Sequence, residues 1–281
     1  MTTDTTVAPQ LPSGTVLDGM YTTGECVRTR VGTATYQAKG PGGEKVAVTV
    51  YAADCFATPV VRERSLREIR QLEAVSDSRV LKIVDSGKLE DGGIYEVHED
   101  VTGQTLGEVI AAGGAMPADD AEKLLRDILG ALEAGKKAGV LHRNVGANAI
   151  LVTDAGIKVS NFAVGEPNGG SAFGAADCIA PEQVAGKNIN ERTLVYNLAA
   201  LTYQVLTGQT LFAGDATAQV AHHAKTAPPP DGAHEALIQA LSKAPKSRPK
   251  KLKLYKSNLA KIVKSKPEVG ERTETAEAAP E

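Results

Sequence analysis

The sequence predicts an α+β protein of two lobes, a five-stranded antiparallel N-lobe with one helix and a mainly helical C-lobe. Up to about residue 101, short segments of alternating apolar and polar residues are separated by glycines, as in a β-meander. From Thr105 onward, apolar residues recur at helical spacing instead. By length alone, a chain of 281 residues could be one large domain or two lobes.

The composition is that of an ordinary globular protein, with 42% hydrophobic and 23% charged residues. A net charge of −3 gives the chain no general attraction to nucleic acid or to membranes. No apolar run approaches the roughly 20 residues that a membrane helix needs, and the first ten residues do not form a secretory signal. The three cysteines lack metal-ligand spacing. We therefore expect a cytoplasmic protein without a metal site or a transmembrane segment.

The N-lobe is predicted to span residues 15–101, after a flexible leader at residues 1–14. Its strands are assigned to the segments MYTTGECV, TATYQAKG, KVAVTVYA, VLKIVDSG and GIYEVHEDV. Its helix is assigned to VVRERSLREIRQLEAV, because apolar and small residues there fall on one side at helical spacing with charges opposite. This stripe should pack the helix against the sheet.

The C-lobe is predicted to span residues 102–264, and residues 265–281 are predicted to be a disordered acidic tail. A long helix follows Pro117, with Asp119 and Asp120 in its first turn, where the helix dipole favours acids. A last helix at about 250–264 carries an apolar stripe. These signals predict helices packed around a common core.

The segment from Gly139 to Gly165, GVLHRNVGANAILVTDAGIKVSNFAVG, resembles the catalytic loop and metal-binding strand of protein kinases. The family pattern is His-Arg-Asp, four variable residues, Asn, two strands and Asp-Phe-Gly. APEQ at 180–183, LTYQVLTGQTLFAGD and SKAPKSRP at 242–249 resemble later segments of the family, in the family's order. The resemblance covers roughly residues 15–264 and is greatest to the bacterial eukaryotic-like Ser/Thr kinases. It implies the bilobal kinase-like fold.

The resemblance also shows which groups of phosphoryl transfer this chain has replaced. Thr49 stands in the place of the phosphate-binding Lys, and Asn144 in the place of the catalytic Asp. Ala149 and Asn161 stand where the family has its two metal ligands. Neutral side chains cannot accept a proton at pH 7 or supply anionic oxygen to a metal ion. No catalytic position is therefore intact, and we expect no metal site in the cleft.

The glycine-rich loop of the family is also altered. Aligned on the family pattern, Arg28, Arg30 and Thr33 occupy the places of its three glycines. Glycine there lets backbone N–H groups approach phosphates closely, and side chains would crowd them. The two arginines could attract an anion, but a solvent-exposed strand pair is the interpretation we favour.

Packing positions of the family are kept. Leu72, Ile83, His142 and Phe162 match the side chains that stack between the lobes, and Arg143 follows His142 in the motif. Glu68 matches the helix Glu that would pair with the missing Lys, so we expect it to face solvent or to meet another base such as Lys82. The resemblance further implies an ion pair of Glu182 with Arg248 and a nucleotide cleft lined by Arg28, Arg30, Ala47, His98, Glu99 and Val101.

This contrast predicts a catalytically inactive protein-kinase-like domain, a pseudokinase, that acts as a binding or regulatory module in Ser/Thr kinase signalling. We expect no cofactor; ATP, if it binds, should bind weakly and without magnesium. One alternative is an atypical Ser/Thr kinase with ATP binding that uses a displaced carboxylate, for which Asp154, Glu166 and Asp177 are the candidates. Another alternative is a metal-independent nucleotide sensor.

The partner should be a protein, such as an active Ser/Thr kinase or a phosphothreonine-binding module. Residues 243–266 hold ten Lys or Arg and no Asp or Glu. This basic helix could dock an acidic partner, although a core-packed helix with a solvated basic face is the interpretation we favour. Thr273 and Thr275 lie in the acidic tail and could be phosphorylated and read by such a module. Nucleic acid is not an expected partner.

Overall fold

The structure is a computed structural model that describes residues 10–168, 172–228, 232–265 and 267. The tail beyond Pro267, with Thr273 and Thr275, lies outside the described residues, as do residues 1–9 of the leader. Leu11, which we assigned to the flexible leader, instead packs on the N-lobe core and donates its N–H to the Tyr36 hydroxyl at 2.8 Å. Leu11 is partly buried by this contact.

The N-lobe is an antiparallel sheet with one long helix. Its strands are β1 (Val16–Leu17), β2 (Tyr21–Arg30), β3 (Thr33–Lys39), β4 (Lys45–Tyr51), β5 (Ile83–Lys88) and β6 (Ile94–Glu99), in the spatial order β1-β2-β3-β4-β6-β5. The five predicted strands are present, and the two-residue strand β1 adds an edge. The helix α1 (Pro59–Leu72) starts at Thr58, whose hydroxyl accepts the N–H of Val61.

Strand alternation divides the N-lobe residues between two faces. Along β4, Val46, Val48 and Val50 enter a small core on the outer face of the sheet, with Tyr36 and Val97. The intervening residues, Ala47, Thr49 and Tyr51, point to the opposite face, which carries α1 and looks toward the C-lobe. Because side chains alternate along β4, the side chain of Thr49 lies on the face of the sheet that looks toward the C-lobe.

The C-lobe is mainly helical around one continuous core. Its helices are α2 (Leu106–Gly113), α3 (Ala118–Lys137), α4 (Pro181–Val184), α5 (Glu191–Thr207), α6 (Ala216–Lys225), α7 (Glu235–Ala240) and α8 (Leu252–Lys264). A small antiparallel sheet of β7 (Gln104–Thr105), β8 (Ile150–Thr153) and β9 (Gly156–Val159) faces the N-lobe. No described helix is long and apolar enough to cross a membrane.

The central helix α5 is buried along most of its length. It begins at Asn190, whose side-chain oxygen accepts the N–H of Arg192 at 2.9 Å, and it ends at Gly208, which has a φ of 74°. Leu194 and Tyr196 are fully buried. The core formed around α5 continues into the N-lobe through Leu72 and Ile83. The two lobes therefore share one hydrophobic core.

Candidate functional site

A cleft of about 290 Å³ lies between the lobes, near the lower end of the range usual for small-molecule sites. Its roof is the inner face of β2, β3 and β4, and its rear wall includes His98. Ser160 and Asn161 belong to its floor, after β9. Ala47 and Val101 line it as well, whereas Glu99 is not among the lining residues.

Arg28 and Arg30 line this cleft, so the interpretation as a solvent-exposed strand pair was wrong. Both side chains are half-buried. In the register of β2 with β3, Arg28 lies opposite Thr35, and Arg30 lies opposite Thr33. The register shifts twice between Thr23 and Arg28, which changes how side chains alternate between the faces. The roof therefore carries two cations where the family has glycine.

Thr49, at the position of the family's Lys, bonds to its neighbours within the sheet. Its hydroxyl lies 3.0 Å from the Thr35 hydroxyl and 3.0 Å from Nε2 of His98. Thr49 and His98 are both buried, and burial lowers the pKa of His98. The neutral threonine is thereby satisfied without a ligand. It offers no charge to the cleft.

Glu68, which lacks the Lys of the family, pairs with Arg143 of the catalytic-loop motif. The Nε and Nη2 atoms of Arg143 donate to the two carboxylate oxygens of Glu68 at 3.0 and 2.8 Å. Glu68 therefore does not face solvent but meets another base, as one of the two expectations held; that base is Arg143 and not Lys82, whose amine contacts the Glu73 carbonyl. The planar guanidinium group of an arginine can donate to both oxygens of a carboxylate, which the single hydroxyl of a threonine cannot do. This bidentate pair joins α1 to the C-lobe.

Asn144, at the position of the catalytic base, is buried and exchanges two hydrogen bonds with Glu166. Its Nδ2 donates to Oε1 of Glu166, and its Oδ1 accepts the backbone N–H of Glu166, both at 3.3 Å.

Asp177, another of the candidate carboxylates, is half-buried nearby, and burial followed by the charge of Glu166 raises its pKa to about 6. Asp154 lies in the turn between β8 and β9. Of the three candidate carboxylates, Glu166 is the one bonded to Asn144.

Gly146, which by the family resemblance stands in the place of a Lys two residues after the catalytic base, has no room for a side chain. A Cβ atom added to Gly146 would lie 2.5 Å from Cβ of Ala175 and 3.0 Å from Oδ1 of Asp177. Real Cβ contacts are almost never that short, so any side chain here would force the neighbouring segment to move. The surrounding chain has packed against the glycine. Restoring the charge at this position would disturb the local packing.

The residues at the two metal-ligand positions do not fit a magnesium ion. Ala149 is buried and has no side-chain oxygen. Asn161 has a φ of 58°, a left-handed conformation that Asn tolerates, and its Oδ1 accepts the Tyr51 hydroxyl at 3.1 Å. Magnesium prefers carboxylate oxygens, and the described residues contain no cluster of three His, Cys, Asp or Glu that could hold a metal ion. Tyr51 was not foreseen as a partner of this position.

Side chains that stack between the lobes are in contact. The rings of His142 and Phe162 lie 4.3 Å apart between centroids, and Phe162 shares the core with Leu72 and Ile83. His142 is buried, and burial lowers its pKa to about 3, so the ring is neutral at pH 7. The Ser65 hydroxyl on α1 also donates to the Ala163 carbonyl at 3.1 Å. These side chains join the two lobes.

Glu182 and Arg248 form a buried ion pair deep in the C-lobe. Two nitrogens of Arg248 donate to the two carboxylate oxygens of Glu182 at 2.7 and 2.9 Å, and the Thr193 hydroxyl donates to the same carboxylate at 2.8 Å. Burial opposes ionisation of Glu182, but the bond and charge of Arg248 hold its pKa below the usual value. Full charges therefore persist at this anchor of the C-lobe.

The hinge between the lobes is tied by Glu99. Its carboxylate accepts the backbone N–H of Lys82 at 2.9 Å and the amine of Lys158 on β9 at 2.6 Å. Because Lys158 belongs to the C-lobe, this pair crosses from the hinge to the second lobe. Glu99, which we placed in the nucleotide cleft, instead supports the hinge from outside the cleft. The carboxylate of Glu99 is thus held by one cation, Lys158, and by the backbone N–H of Lys82.

The basic segment at 243–266 is less uniform than the sequence indicated. Arg248 is buried in its ion pair, and Lys243 donates to the Tyr196 hydroxyl at 2.9 Å. Helix α8 packs on α3 through its apolar stripe, and Lys256 pairs with Glu133 at 3.1 Å. The exposed cations on and beside this helix are Lys246, Lys250, Lys251, Lys253, Lys261 and Lys264.

The family model described as the protein kinase domain matches residues 27–267 of this chain. The chain is 30% identical over 245 residues to the serine/threonine-protein kinase PknB of Mycobacterium tuberculosis strain H37Rv, and 29% identical over 244 residues to PknB of Mycobacterium leprae. Each alignment covers 79% of this chain and 39% of the relative. The chain thus spans about two fifths of the length of these curated relatives.

Solved structures of the same fold include the kinase domain of PknI from Mycobacterium tuberculosis. One such structure superposes with a TM-score of 0.75, covering 91% of this chain and 100% of the PknI domain at 21% sequence identity. A second, of a mutant form of that domain, gives a TM-score of 0.73 and covers 90% of this chain and 99% of the PknI domain. At this identity the likeness establishes the fold, which is the predicted bilobal one.

Proposed function

The chain belongs to the protein kinase domain family, and we propose that it is a catalytically inactive member, a pseudokinase that acts as a binding or regulatory module in Ser/Thr kinase signalling. One observation carries the proposal. The four positions that would handle phosphate, proton and metal are neutral, and three of them are hydrogen-bonded to neighbouring side chains: Thr49 to His98, Asn144 to Glu166, and Asn161 to Tyr51.

Phosphoryl transfer depends on positioning and on neutralising phosphate charge, with little covalent work for the protein to do. A base that accepts the hydroxyl proton typically contributes about 10²–10⁴-fold to a rate. Asn144 cannot accept that proton, and the neutral residues at the metal positions give a magnesium ion no carboxylate. Losses of groups that act together are not additive. The combined loss nevertheless removes the main stabilisation of the transition state.

The contacts that hold the two lobes together support a function that depends on the folded structure. The Glu182–Arg248 and Glu68–Arg143 pairs and the His142–Phe162 contact hold both lobes in a defined arrangement. We propose that this rigid surface binds a protein partner in the cytoplasm, either an active Ser/Thr kinase or a phosphothreonine-binding module. The exposed lysines around α8 would suit an acidic partner, through attraction that salt weakens.

A second candidate is an atypical kinase, which a single contact favours. The carboxylate of Glu166 lies 3.3 Å from Nδ2 of Asn144, so an acid stands beside the position of the missing base. A substrate hydroxyl that displaced the amide could reach this carboxylate. The same carboxylate already accepts a hydrogen bond from Asn144, which a substrate hydroxyl would have to replace.

Phosphate transfer from labelled ATP separates the two candidates. The purified chain would be incubated with ATP and a generic protein substrate in magnesium and in manganese, beside an active kinase of the family as positive control. The variant Asn144→Ala frees the Glu166 carboxylate from the amide, and Glu166→Gln removes the displaced base, so labelling that persists in Glu166→Gln reports contamination. We expect no label above a mock preparation for any of the three proteins. Labelling by the wild type that Glu166→Gln abolishes would overturn the proposal in favour of the atypical kinase.

A further inference from the structure

We propose that the cleft binds a polyphosphate-bearing ligand without a metal ion, through Arg28 and Arg30 on the roof. The inference rests on the proposed function, because a cleft that transferred phosphate would have to hold magnesium. The residues at the metal positions do not fit that ion. The chemistry of the family depends on a metal ion that these residues do not fit. In this cleft, the side chains of Arg28 and Arg30 would neutralise the phosphates instead.

The two arginines are placed where a ligand would meet both. They are two residues apart on β2, so their side chains lie on the same face of the strand. Each is half-buried, and each faces a threonine of β3 across the ladder, Thr35 and Thr33 respectively. A guanidinium group presents several N–H donors in a plane and suits the bidentate binding of phosphate oxygens.

Arginines outnumber acids among the described residues that line the cleft, although the charges of Glu108 and Glu166 outside the lining also act on Arg30. Arg30 has no carboxylate within 4.0 Å among the described residues. Arg28 has Glu108 at 3.9 Å, a partly exposed pair of the kind that stabilises little. Among the described residues that line the cleft, Asp100 is the one acid. Ser160 and Asn161 on the floor are neutral, so no carboxylate there repels a phosphate.

Burial adds to this imbalance. Burial lowers the pKa of Arg30, while the charge of Glu166 partly offsets the effect. A partly desolvated cation without a close partner gains most when an anion binds beside it. An anionic ligand would complete the electrostatic environment that the described residues leave open.

Magnesium should weaken the binding of a polyphosphate to this cleft, whereas a kinase needs magnesium. In this cleft the arginines replace the charge that magnesium would otherwise bring. Magnesium bound to a polyphosphate occupies phosphate oxygens and cancels two of its negative charges. Both effects remove interactions that the arginines would make. The free polyphosphate should therefore bind more tightly than its magnesium complex.

Calorimetric titration tests this proposal with three ligands in EDTA: ATP, inorganic tripolyphosphate and adenosine. The variant Arg28→Gln/Arg30→Gln removes both cations and keeps polar side chains of similar length. Its control is Arg67→Gln/Arg126→Gln, which removes two exposed cations, one on α1 and one on α3. Unfolding of each unliganded variant in urea verifies that the fold is retained.

We expect ATP and tripolyphosphate to bind the wild type and the control equally, and at least tenfold more weakly to the arginine variant. Adding magnesium should weaken ATP binding. Binding of ATP without tripolyphosphate, still weakened in the arginine variant, would support the proposal and identify the ligand as a nucleotide. Absence of binding, binding that requires magnesium, equal binding by adenosine and ATP, or equal binding by the arginine variant would overturn it. None of these outcomes depends on phosphate transfer, whose detection would overturn the proposed function instead.

Discussion

Two regions of this molecule treat charge in opposite ways. Asn144 and Asn161, at the positions that would handle the proton and the metal, are neutral and bond to Glu166 and Tyr51. Deep in the C-lobe, Glu182 and Arg248 keep full charges in a buried bidentate pair that Thr193 completes. Keeping an ion pair out of water carries a desolvation cost that good geometry must offset.

The difference teaches which interactions the chain needs. A buried pair that fixes two segments of the C-lobe has been kept, although charges are hard to bury. We propose that groups whose use is to act on a ligand have been replaced here by side chains that are satisfied within the protein. Glu68 shares features of both regions. The Lys that pairs with this Glu in the family is absent, and Glu68 instead forms an ion pair with Arg143 that links the lobes. Three experiments can break or sharpen this comparison.

The largest effect is expected at the buried ion pair. The substitution Arg248→Met leaves the Glu182 carboxylate buried with its main cation removed, which should lower the free energy of unfolding by about 3–5 kcal/mol. Urea denaturation at pH 7 measures the change, and Lys246→Met, which alters an exposed cation two residues away, is the control. A loss below about 1 kcal/mol would show that the kept charges do not anchor the C-lobe.

An intermediate, pH-dependent effect is expected at Glu96, which lies opposite Thr49 in the sheet. Burial raises the pKa of Glu96 to about 7. Because the folded pKa lies above its usual value of 4.5, ionisation destabilises the fold fully above pH 7 and not at all below pH 4.5.

The variant Glu96→Gln removes this destabilisation. We expect it to be more stable than the wild type by about 1–3 kcal/mol at pH 8. The gain should shrink as the pH falls from 7 to 4.5. Urea titrations across this range measure it, with Glu90→Gln as an exposed control. A gain independent of pH would mean that Glu96 does not carry the proton.

The smallest effect is expected at the link between the lobes. The substitution Glu68→Gln removes one charge of a pair whose side chains are 12% and 19% exposed, and it should cost about 1–2 kcal/mol. Amide hydrogen exchange in α1 should accelerate, because this pair ties the helix to the C-lobe. Glu63→Gln, on an exposed position of the same helix, is the control. Unchanged exchange in α1 would contradict the role of this link.

Motif spacing carried the prediction of the fold. The spacing from His142 to Phe162, together with the later segments, placed the chain in the bilobal fold that the structure has. Periodicity located α1, with Leu66 and Ile69 buried on the predicted face. Such features depend on local repeats and on the order of motifs, both of which are visible in one sequence.

Side-chain pairing in the site could not be predicted in the same way. Glu68 and Arg143 are 75 residues apart, and the loss of one partner does not indicate which new partner replaces it. The two register shifts in β2 obscure which face Arg28 and Arg30 occupy. Tyr51 reaches Asn161 across 110 residues. Each of these contacts depends on how the lobes are placed.

The central claim is that the metal positions of the cleft no longer hold a metal ion, and manganese tests it most directly. Manganese replaces magnesium in sites of oxygen ligands and is paramagnetic, so its spin-resonance signal changes when a protein side chain coordinates it. The signal of manganese with ATP would be recorded with excess wild-type chain and with Asn161→Ala. We predict the same spectrum for both proteins. A bound-manganese signal that appears with the wild type and is lost in Asn161→Ala would contradict the account.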